Sequence, residues 1–332
     1  MATISDVCKM AGVSKATVSR VINGTGQVKP STREHVEAVM KELNYKPNSL
    51  AQALANSSGN SIGLVLSDFD GNYFGSLLKQ ASLSADKMGK KLLIADGKNQ
   101  ADLELEAIQS LVDKKCDVIV LYSRRLTSEQ LIELNNSIDI PIVHVGRQLP
   151  NQAGYSIAFD QEKAIADALE HLLTSGHRQI AYFGPDAMSN TTRLRLSTFK
   201  SVTAAKSHLG LTTDIFCCNF SLESGYQIAN EVLDSHFAFS AIVAASDDIA
   251  IGILRACREK GINVPEQLSI VSIDNEKMSE FVTPKLTTVN IPISHITEKA
   301  MLVAQEYTQG KTPDSSELIS GQLIIRESTK PL

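Results

Sequence analysis

Thr3-Ile4-Ser5-Asp6-Val7-Cys8-Lys9-Met10-Ala11-Gly12-Val13-Ser14-Lys15-Ala16-Thr17-Val18-Ser19-Arg20-Val21-Ile22-Asn23-Gly24 is the stretch on which the reading of this chain turns. Ile4, Val7, Cys8 and Ala11 recur at helical spacing behind Thr3, so a helix is expected over about Ser5 to Ala11. Gly12 ends it, because glycine takes the left-handed conformation of a tight turn without steric cost. Val13 is expected as a buried turn residue. Ser14 is placed to cap a second helix, Lys15 to Asn23, with Ala16 or Thr17, Val18, Val21 and Ile22 on its inner face. A third amphipathic helix begins near Ser31, behind Pro30, with Val36, Val39, Met40 and Leu43 as its apolar face. Three short helices with a glycine turn between the first two are the pattern of a helix-turn-helix unit. A plain three-helix bundle with a solvated polar face fits the same pattern.

With Val18, Val21 and Ile22 committed to a core, Lys15, Ala16, Ser19 and Arg20 remain on the outer surface of the second helix. In a DNA-reading unit that surface faces the major groove. Arg20 has the fork that matches guanine O6 and N7, Lys15 reaches a guanine or a phosphate, and Ala16 offers apolar contact to a thymine methyl. Thr3, Ser14, Thr17, Asn23, Lys29, Thr32 and Arg33 suit phosphates, which position a protein on DNA without specifying sequence. Charge agrees in sign. Residues 1–58 carry seven Lys or Arg against four acids, about +3, which leaves about −8 of the total −5 on the rest.

The segments Thr3-Ile4-Ser5-Asp6-Val7, Ala11-Gly12-Val13-Ser14, Thr17-Val18-Ser19-Arg20-Val21-Ile22-Asn23 and Leu43-Asn44-Tyr45-Lys46-Pro47-Asn48 resemble the head of the LacI/GalR repressor family. The resemblance implies that Lys15, Ala16 and Arg20 read bases and that Tyr45 and Asn48 hold the DNA backbone. Pro47 to Asn56 reads as a short helix with Leu50, Ala51 and Leu54 on one side, too short to be stable alone. The family implies that two such hinge helices pair and press Leu54 into the minor groove as a kinking wedge. The expected organisation is a helix-turn-helix domain at 1–46, a hinge at 47–58 and an effector-binding and dimerisation domain at 59–332.

Beyond Gly59, apolar runs alternate with amphipathic helical stretches. Strands are expected at Ile62 to Leu66, Lys91 to Ala95, Val118 to Tyr122, Ile142 to Val145, Ile180 to Phe183, Ala241 to Ala245 and Leu268 to Ile273. Helices are expected over about Phe74 to Met88, Asp102 to Lys114, Glu162 to Ser175 and Asp247 to Lys260. This is the grammar of α/β folds with parallel sheets, and about 270 residues suit two subdomains. Such sheets bind ligands at the C-terminal ends of their strands. Asp68, Tyr73 and Phe74 follow the first strand, Asp96 the second, Arg124 the third and Arg147 the fourth. Ser246, Asp247 and Asp274 follow later ones, Arg193 and Arg195 open a helix, and Phe220 lies in a loop after Ile215 to Cys218. Carboxylates and guanidiniums fit sugar hydroxyls, and a flat ring covers the apolar face of a pyranose.

The resemblance extends through Gly176-His177-Arg178-Gln179-Ile180, Arg193-Leu194-Arg195, Ser246-Asp247-Asp248-Ile249-Ala250-Ile251-Gly252, Val264-Pro265, Ser269-Ile270-Val271 and Leu286-Thr287-Thr288-Val289. It implies a core like that of periplasmic sugar-binding proteins. Arg195, Ser246 and Asp274 match effector contacts, with Tyr73, Phe74, Arg147 and Phe220 as walls. Leu93-Ile94-Ala95-Asp96-Gly97-Lys98 and Gly146-Arg147 are most similar to the galactose and β-glucoside (cellobiose, arbutin, salicin) repressors. The implied partners are near-palindromic operator DNA, a small carbohydrate effector and a second copy of the chain, without cofactor or metal. Closing of the cleft would then be linked to pairing of the hinge helices.

The 332 residues, 43% hydrophobic and 21% charged, lack an apolar run long enough for a membrane span, and the N-terminus lacks a secretory pattern. A cytoplasmic protein is expected. Five cysteines without a C-x-x-C pair suit neither a disulfide framework nor a zinc site. An enzyme was the first alternative, but G-x-G-x-x-G, a P-loop, G-x-S-x-G and H-E-x-x-H are missing from any plausible setting. A sugar-transport protein would share the α/β body but has no use for residues 1–58.

Overall fold

The computed structural model describes residues 2–23, 26–45, 59–69, 71–150, 153–186, 189–235, 238–313 and 316–332, the side chain of Asn23 excepted. The expected hinge helix, with Asn48 and Leu54, lies outside the described residues, as does the boundary at 46.

Helices α1 (Ile4–Ala11), α2 (Lys15–Asn23) and α3 (Pro30–Glu42) form the N-terminal unit. Helix α1 begins one residue earlier than periodicity suggests because Thr3 and Asp6 close a reciprocal cap. Asp6 N–H donates to Thr3 Oγ1 at 3.4 Å, and Thr3 N–H donates to Asp6 Oδ2 at 2.8 Å. Gly12 ends the helix at φ 64°. Ser14 Oγ accepts from Thr17 N–H at 3.2 Å at the start of α2. Val7, Val18 and Val36 are fully buried and form one small core with Ala11, Val21 and Val39.

The remaining chain lays down β1 (Ser61–Leu66), α4 (Asn72–Lys87), β2 (Lys91–Asp96), α5 (Ala101–Asp113), β3 (Val118–Tyr122), α6 (Ser128–Ser137), β4 (Ile142–Val145) and β5 (Tyr155–Phe159). Then come α7 (Gln161–Thr174), β6 (Gln179–Gly184), α8 (Asn190–Ala205), β7 (Thr212–Cys217), α9 (Leu222–Ser235), β8 (Ala241–Ala244), α10 (Asp247–Glu259) and β9 (Ser269–Asp274). The last elements are β10 (Thr287–Asn290), α11 (Ile293–Thr308), β11 (Glu317–Ile319) and β12 (Leu323–Ile324). They build two six-stranded sheets, ordered β11-β5-β4-β3-β1-β2 and β12-β10-β9-β8-β6-β7. Every pairing is parallel except β12 on β10, which runs antiparallel and departs from the expected all-parallel pattern. Inner strands β1, β3, β4 and β8 are buried along their whole length because helices cover both faces. Edge strands β2 and β7 are partly exposed.

The chain passes between the sheets three times, after β5, after β10 and after β11. Helix α7 packs on β9 and β10, and α11 packs back on α4, β3 and β4. The crossings are stitched together. Asp160 N–H donates to Ile319 O at 2.9 Å, and Asn290 N–H donates to Gln322 O at 2.8 Å. Gly321 lies between them, where a Cβ would stand 2.1 Å from Asn290 O and 3.0 Å from the Phe159 ring. In each sheet the strand order reverses once, at β1/β3 and at β6/β8, and these are the positions where such sheets open a crevice.

Candidate DNA-reading helix and effector cleft

On α2 the structure sorts side chains by burial as a DNA-reading helix requires. Lys15, Ala16 and Arg20 are exposed, Thr17 and Ser19 are half-buried, and Val18 and Val21 are in the core. The inner face therefore takes Thr17 rather than Ala16. Lys29 is exposed at the start of α3, Thr32 is half-buried one turn on, and Tyr45 packs against the core of the unit. The Thr3 and Thr17 hydroxyls are tied into helix starts, the latter 3.0 Å from Ser14 Oγ.

The two crevices of the body face each other across one cavity of about 310 Å³, near the lower end of the roughly 300–1,000 Å³ common for ligand sites. Aromatic rings line the first-sheet side. Phe74 meets Tyr73 and Tyr122 edge-on at 5.5 and 5.3 Å between centroids. The Arg124 guanidinium lies over Phe74, 4.6 Å from its centroid. From the second sheet comes Phe220, 5.8 Å from both the Arg124 and the Arg195 guanidinium carbons, so one ring links cations from the two sides.

Arg195 is almost fully buried on α8. Its Nε donates to Gln161 Oε1 at 2.7 Å, Nη1 donates to Ala245 O, and Nη2 stands 3.7 Å from Asp274 Oδ1. Ser246 Oγ accepts from Ile249 N–H at 3.3 Å and so caps α10 while lining the cavity. Asp247 is wholly buried beneath. It accepts from Ser272 and Thr288 hydroxyls at 2.5 and 2.7 Å and from Glu276 N–H at 2.6 Å, fixing the loop that carries Asp274. Five carboxylates, Asp68, Glu223, Asp248, Asp274 and Glu276, line the cavity against two guanidiniums. Burial holds the Asp274 carboxyl well above the usual range although Arg195 pulls it down. Burial and the nearby Glu223 push Asp248 up, and burial pushes Glu276 up to about 7. Among the described residues no group of three or more His, Cys, Asp or Glu side chains is arranged to hold a metal ion.

Residues 3–48 match the family model described as bacterial regulatory proteins, lacI family, and residues 169–329 match that of a periplasmic binding protein-like domain. The HTH-type transcriptional regulator AscG of Escherichia coli strain K12 is 34% identical, with 99% of this chain and 98% of that protein aligned. The chain belongs to the LacI family. It is a DNA-binding transcriptional regulator and not an enzyme. Its fold superposes on the Lac repressor dimer bound to operator and the anti-inducer ONPF with a TM-score of 0.89, at 27% identity over 99% of both chains. A CelR–cellobiose complex superposes with a TM-score of 0.71, at 26% identity over 99% of this chain and all of the other.

In this LacI-family regulator the cavity brings together Tyr73, Phe74, Arg195, Phe220, Ser246 and Asp274, all expected as effector contacts. It does not bring in Asp96 or Arg147. Asp96 ends the edge strand β2, away from the β1/β3 crevice, and its Oδ1 accepts from Lys98 N–H at 2.8 Å in a local turn. Arg147 turns inward after β4 and is buried, with Nη1 donating to Leu126 O at 2.8 Å. Tyr122, Gln161, Glu223, Asp248 and Glu276 line the cavity without having been singled out in the sequence. Glu276 had one signal, its place two residues after Asp274. Glu104 had none. Fully buried on α5, it accepts from Ser67 Oγ at 2.6 Å, from Ser123 Oγ and from Arg124 N–H at 3.2 Å, which sets the loop presenting Arg124. Among the described residues no helix is long and apolar enough to cross a membrane.

Proposed function

We propose that this chain is a cytoplasmic, homodimeric, sequence-specific repressor of a carbohydrate-utilisation operon, released from or held on a near-palindromic operator by a small sugar bound between the two α/β subdomains. The effector is of the β-glucoside or galactose type, the class the sequence runs at Leu93–Lys98 and Gly146–Arg147 resemble. The unit at 1–46 carries Lys15, Ala16 and Arg20 as base readers. Ser19 faces the major groove beside them, Thr3, Ser14, Thr17, Asn23, Lys29, Thr32, Arg33, Tyr45 and Asn48 contact the DNA backbone, and the hinge at 47–58 inserts Leu54. In the body, 59–332, Arg195, Asp274 and Ser246 bind sugar hydroxyls while Tyr73, Phe74 and Phe220 cover the ring. Asp96 and Arg147 are left out of this site.

One observation carries the reading: a cavity between two sheets, walled by rings and lined by both carboxylates and guanidiniums, in a chain that also exposes Lys15, Ala16 and Arg20 on its second helix. Directional acceptors and donors with apolar faces are what a pyranose needs. Two linked sites with a shared closing motion make DNA affinity depend on sugar. The test is to select bound fragments from random DNA and measure affinity for the recovered sequence by fluorescence anisotropy, with cellobiose, arbutin, salicin and galactose added in turn. A near-palindromic consensus and an affinity altered by at least one sugar are expected. A set of fragments without consensus, or an affinity indifferent to every sugar, overturns the reading.

A further inference from the structure

Arg124 is placed in the cleft by rings. Its guanidinium carbon stands 4.6 Å from the Phe74 centroid, 5.9 Å from that of Tyr122 and 5.8 Å from that of Phe220. The side chain lines the cavity, half-buried, and among the described residues it makes no hydrogen bond and no ion pair. Its backbone is fixed, with N–H donating to Ser67 Oγ at 2.6 Å and to Glu104 Oε1 at 3.2 Å. A guanidinium stacked on rings keeps its N–H donors in its own plane, directed past the ring edges. Burying such a cation without partners costs free energy, so this fork is set out for an acceptor that the protein itself does not supply.

Charge in the cavity has a direction. In the loop that carries Arg124, Leu126 O accepts from the buried Arg147, whose Nε has no hydrogen-bond partner among the described residues. Burial depresses the Arg147 guanidinium, and Arg193 of α8 depresses it further, so three cations gather toward this end. The Glu104 carboxylate there is taken up by the Ser67 and Ser123 hydroxyls and by Arg124 N–H. Of the five lining carboxylates only Asp68 comes from the first-sheet side, whereas Glu223, Asp248, Asp274 and Glu276 come from the second. Burial holds Asp248, Asp274 and Glu276 above the usual carboxylate range, so they carry less negative charge than their number suggests.

We propose that the effector is an acidic saccharide whose phosphate or carboxylate is gripped by Arg124 at the first-sheet end while its hydroxyls meet Ser246 and Asp274 at the second-sheet end. This rests on the sugar-effector reading above and adds a charge to the ligand. Two oxygens of one anionic group match the guanidinium fork, and such charge-assisted hydrogen bonds are roughly twice as strong as neutral ones. A ligand anchored at both ends spans the two subdomains and therefore favours the closed cleft.

The test uses the full-length protein, with effector affinity measured by calorimetry and operator affinity by anisotropy. Salicin is paired with salicin 6-phosphate, and galactose with galactose 6-phosphate and with galacturonate, so that phosphate and carboxylate are read separately. The wild type should bind at least one acidic member about tenfold more tightly than its neutral parent, and the arm that shows the gap names the group. Arg124→Gln should narrow that gap to within about threefold. A neutral parent bound as tightly as every acidic partner overturns the acidic effector and leaves the sugar-effector reading standing. A gap undiminished in Arg124→Gln overturns the assignment of Arg124. Should that variant fail to fold, Arg124→Lys, which keeps the charge and loses the fork, is read in its place, and a gap as wide as in the wild type overturns the assignment. If no saccharide, acidic or neutral, binds or changes operator affinity, the sugar-effector reading itself falls, and the acidic effector with it.

Discussion

Arg195 Nη2 stands 3.7 Å from Asp274 Oδ1, and both side chains are largely buried in the wall of the cleft. The separation exceeds a hydrogen bond, so the pair attracts without consuming the acceptors of the carboxylate. Among the described residues nothing donates a hydrogen bond to that carboxylate, whereas Arg195 is held from behind by Gln161 and Ala245. The arginine is thus fixed, and the aspartate keeps acceptors for an incoming hydroxyl.

Arg195→Ala should remove the effector response and leave operator binding intact. Hydrogen bonds to a charged group contribute about 1.5 to 3 kcal/mol, so effector affinity should fall roughly tenfold to a hundredfold. Calorimetry with the effector, alongside anisotropy on the operator, checks both halves. An unchanged response removes Arg195 from the site.

Asp274 has φ 125°, a region that side chains rarely adopt and that costs of order 1 to 3 kcal/mol. Its carboxyl is also held above its usual range by burial. Asp274→Gly should therefore raise the melting temperature of the effector-free protein while the effector response is lost. A lower melting temperature would show that the backbone there is not strained.

Arg20→Ala should cost roughly 1 to 3 kcal/mol on the operator and relax specificity, whereas Lys29→Ala should weaken all DNA alike. Both side chains are exposed, so neither change should move the melting temperature appreciably. Anisotropy on operator and on random DNA separates the two, and equal losses on both for Arg20→Ala would contradict base reading.

Gly321→Ala places a methyl group against Asn290 O and the Phe159 ring, where all three crossings meet. Overpacking of this kind typically costs about 1 to 3 kcal/mol. Urea unfolding should show that loss, with a changed effector affinity because the same crossings set how the sheets approach. Wild-type stability in the variant would mean that the crossings yield easily.

Two buried groups give the body opposing pH dependences. Burial pushes Asp247 up to about 6, above the roughly 4 of an unfolded carboxyl, so its contribution to stability is greatest at low pH and is lost as pH rises from about 4 to about 6. Burial pushes His144 down to about 3, below the roughly 6.5 of a free imidazole, so its contribution is present above about pH 6.5 and is lost as pH falls. Between about pH 4 and 6 the two partly cancel. Relative to the wild type, Asp247→Asn should gain stability as pH rises through that window, and His144→Gln should lose it. Melting curves at several pH values read the two signs.

The helix-turn-helix was legible because its determinants are local. Thr3, Gly12 and Ser14 cap and turn the chain through neighbours three to five residues away, and the apolar period then fixes which side Lys15 and Arg20 must face. The inner strands were legible too, as short apolar runs. Strands β5, β10, β11 and β12 were not among the strands expected, and β7 showed only as the run Ile215 to Cys218, because these segments are stabilised by pairing partners elsewhere in the chain rather than by their own pattern.

The cleft was legible only in part, for the same reason. Sequence placed Asp96, Arg147, Arg195 and Asp274 alike at the ends of elements, and nothing local distinguishes them. Strand order does. It puts β2 at an edge, so Asp96 is carried away from the crevice, while the loop after β3 holds the buried Arg147 through Leu126 O. The amino-acid sequence by itself determined the elements, their caps and the outward face of α2, all set by interactions within a few residues. Only the tertiary structure decided which loop ends share a cavity. Glu276 lies 204 residues from Asn72 in the chain and meets it through two sheets and three crossings, a contact that depends on burial and pairing summed over the whole body.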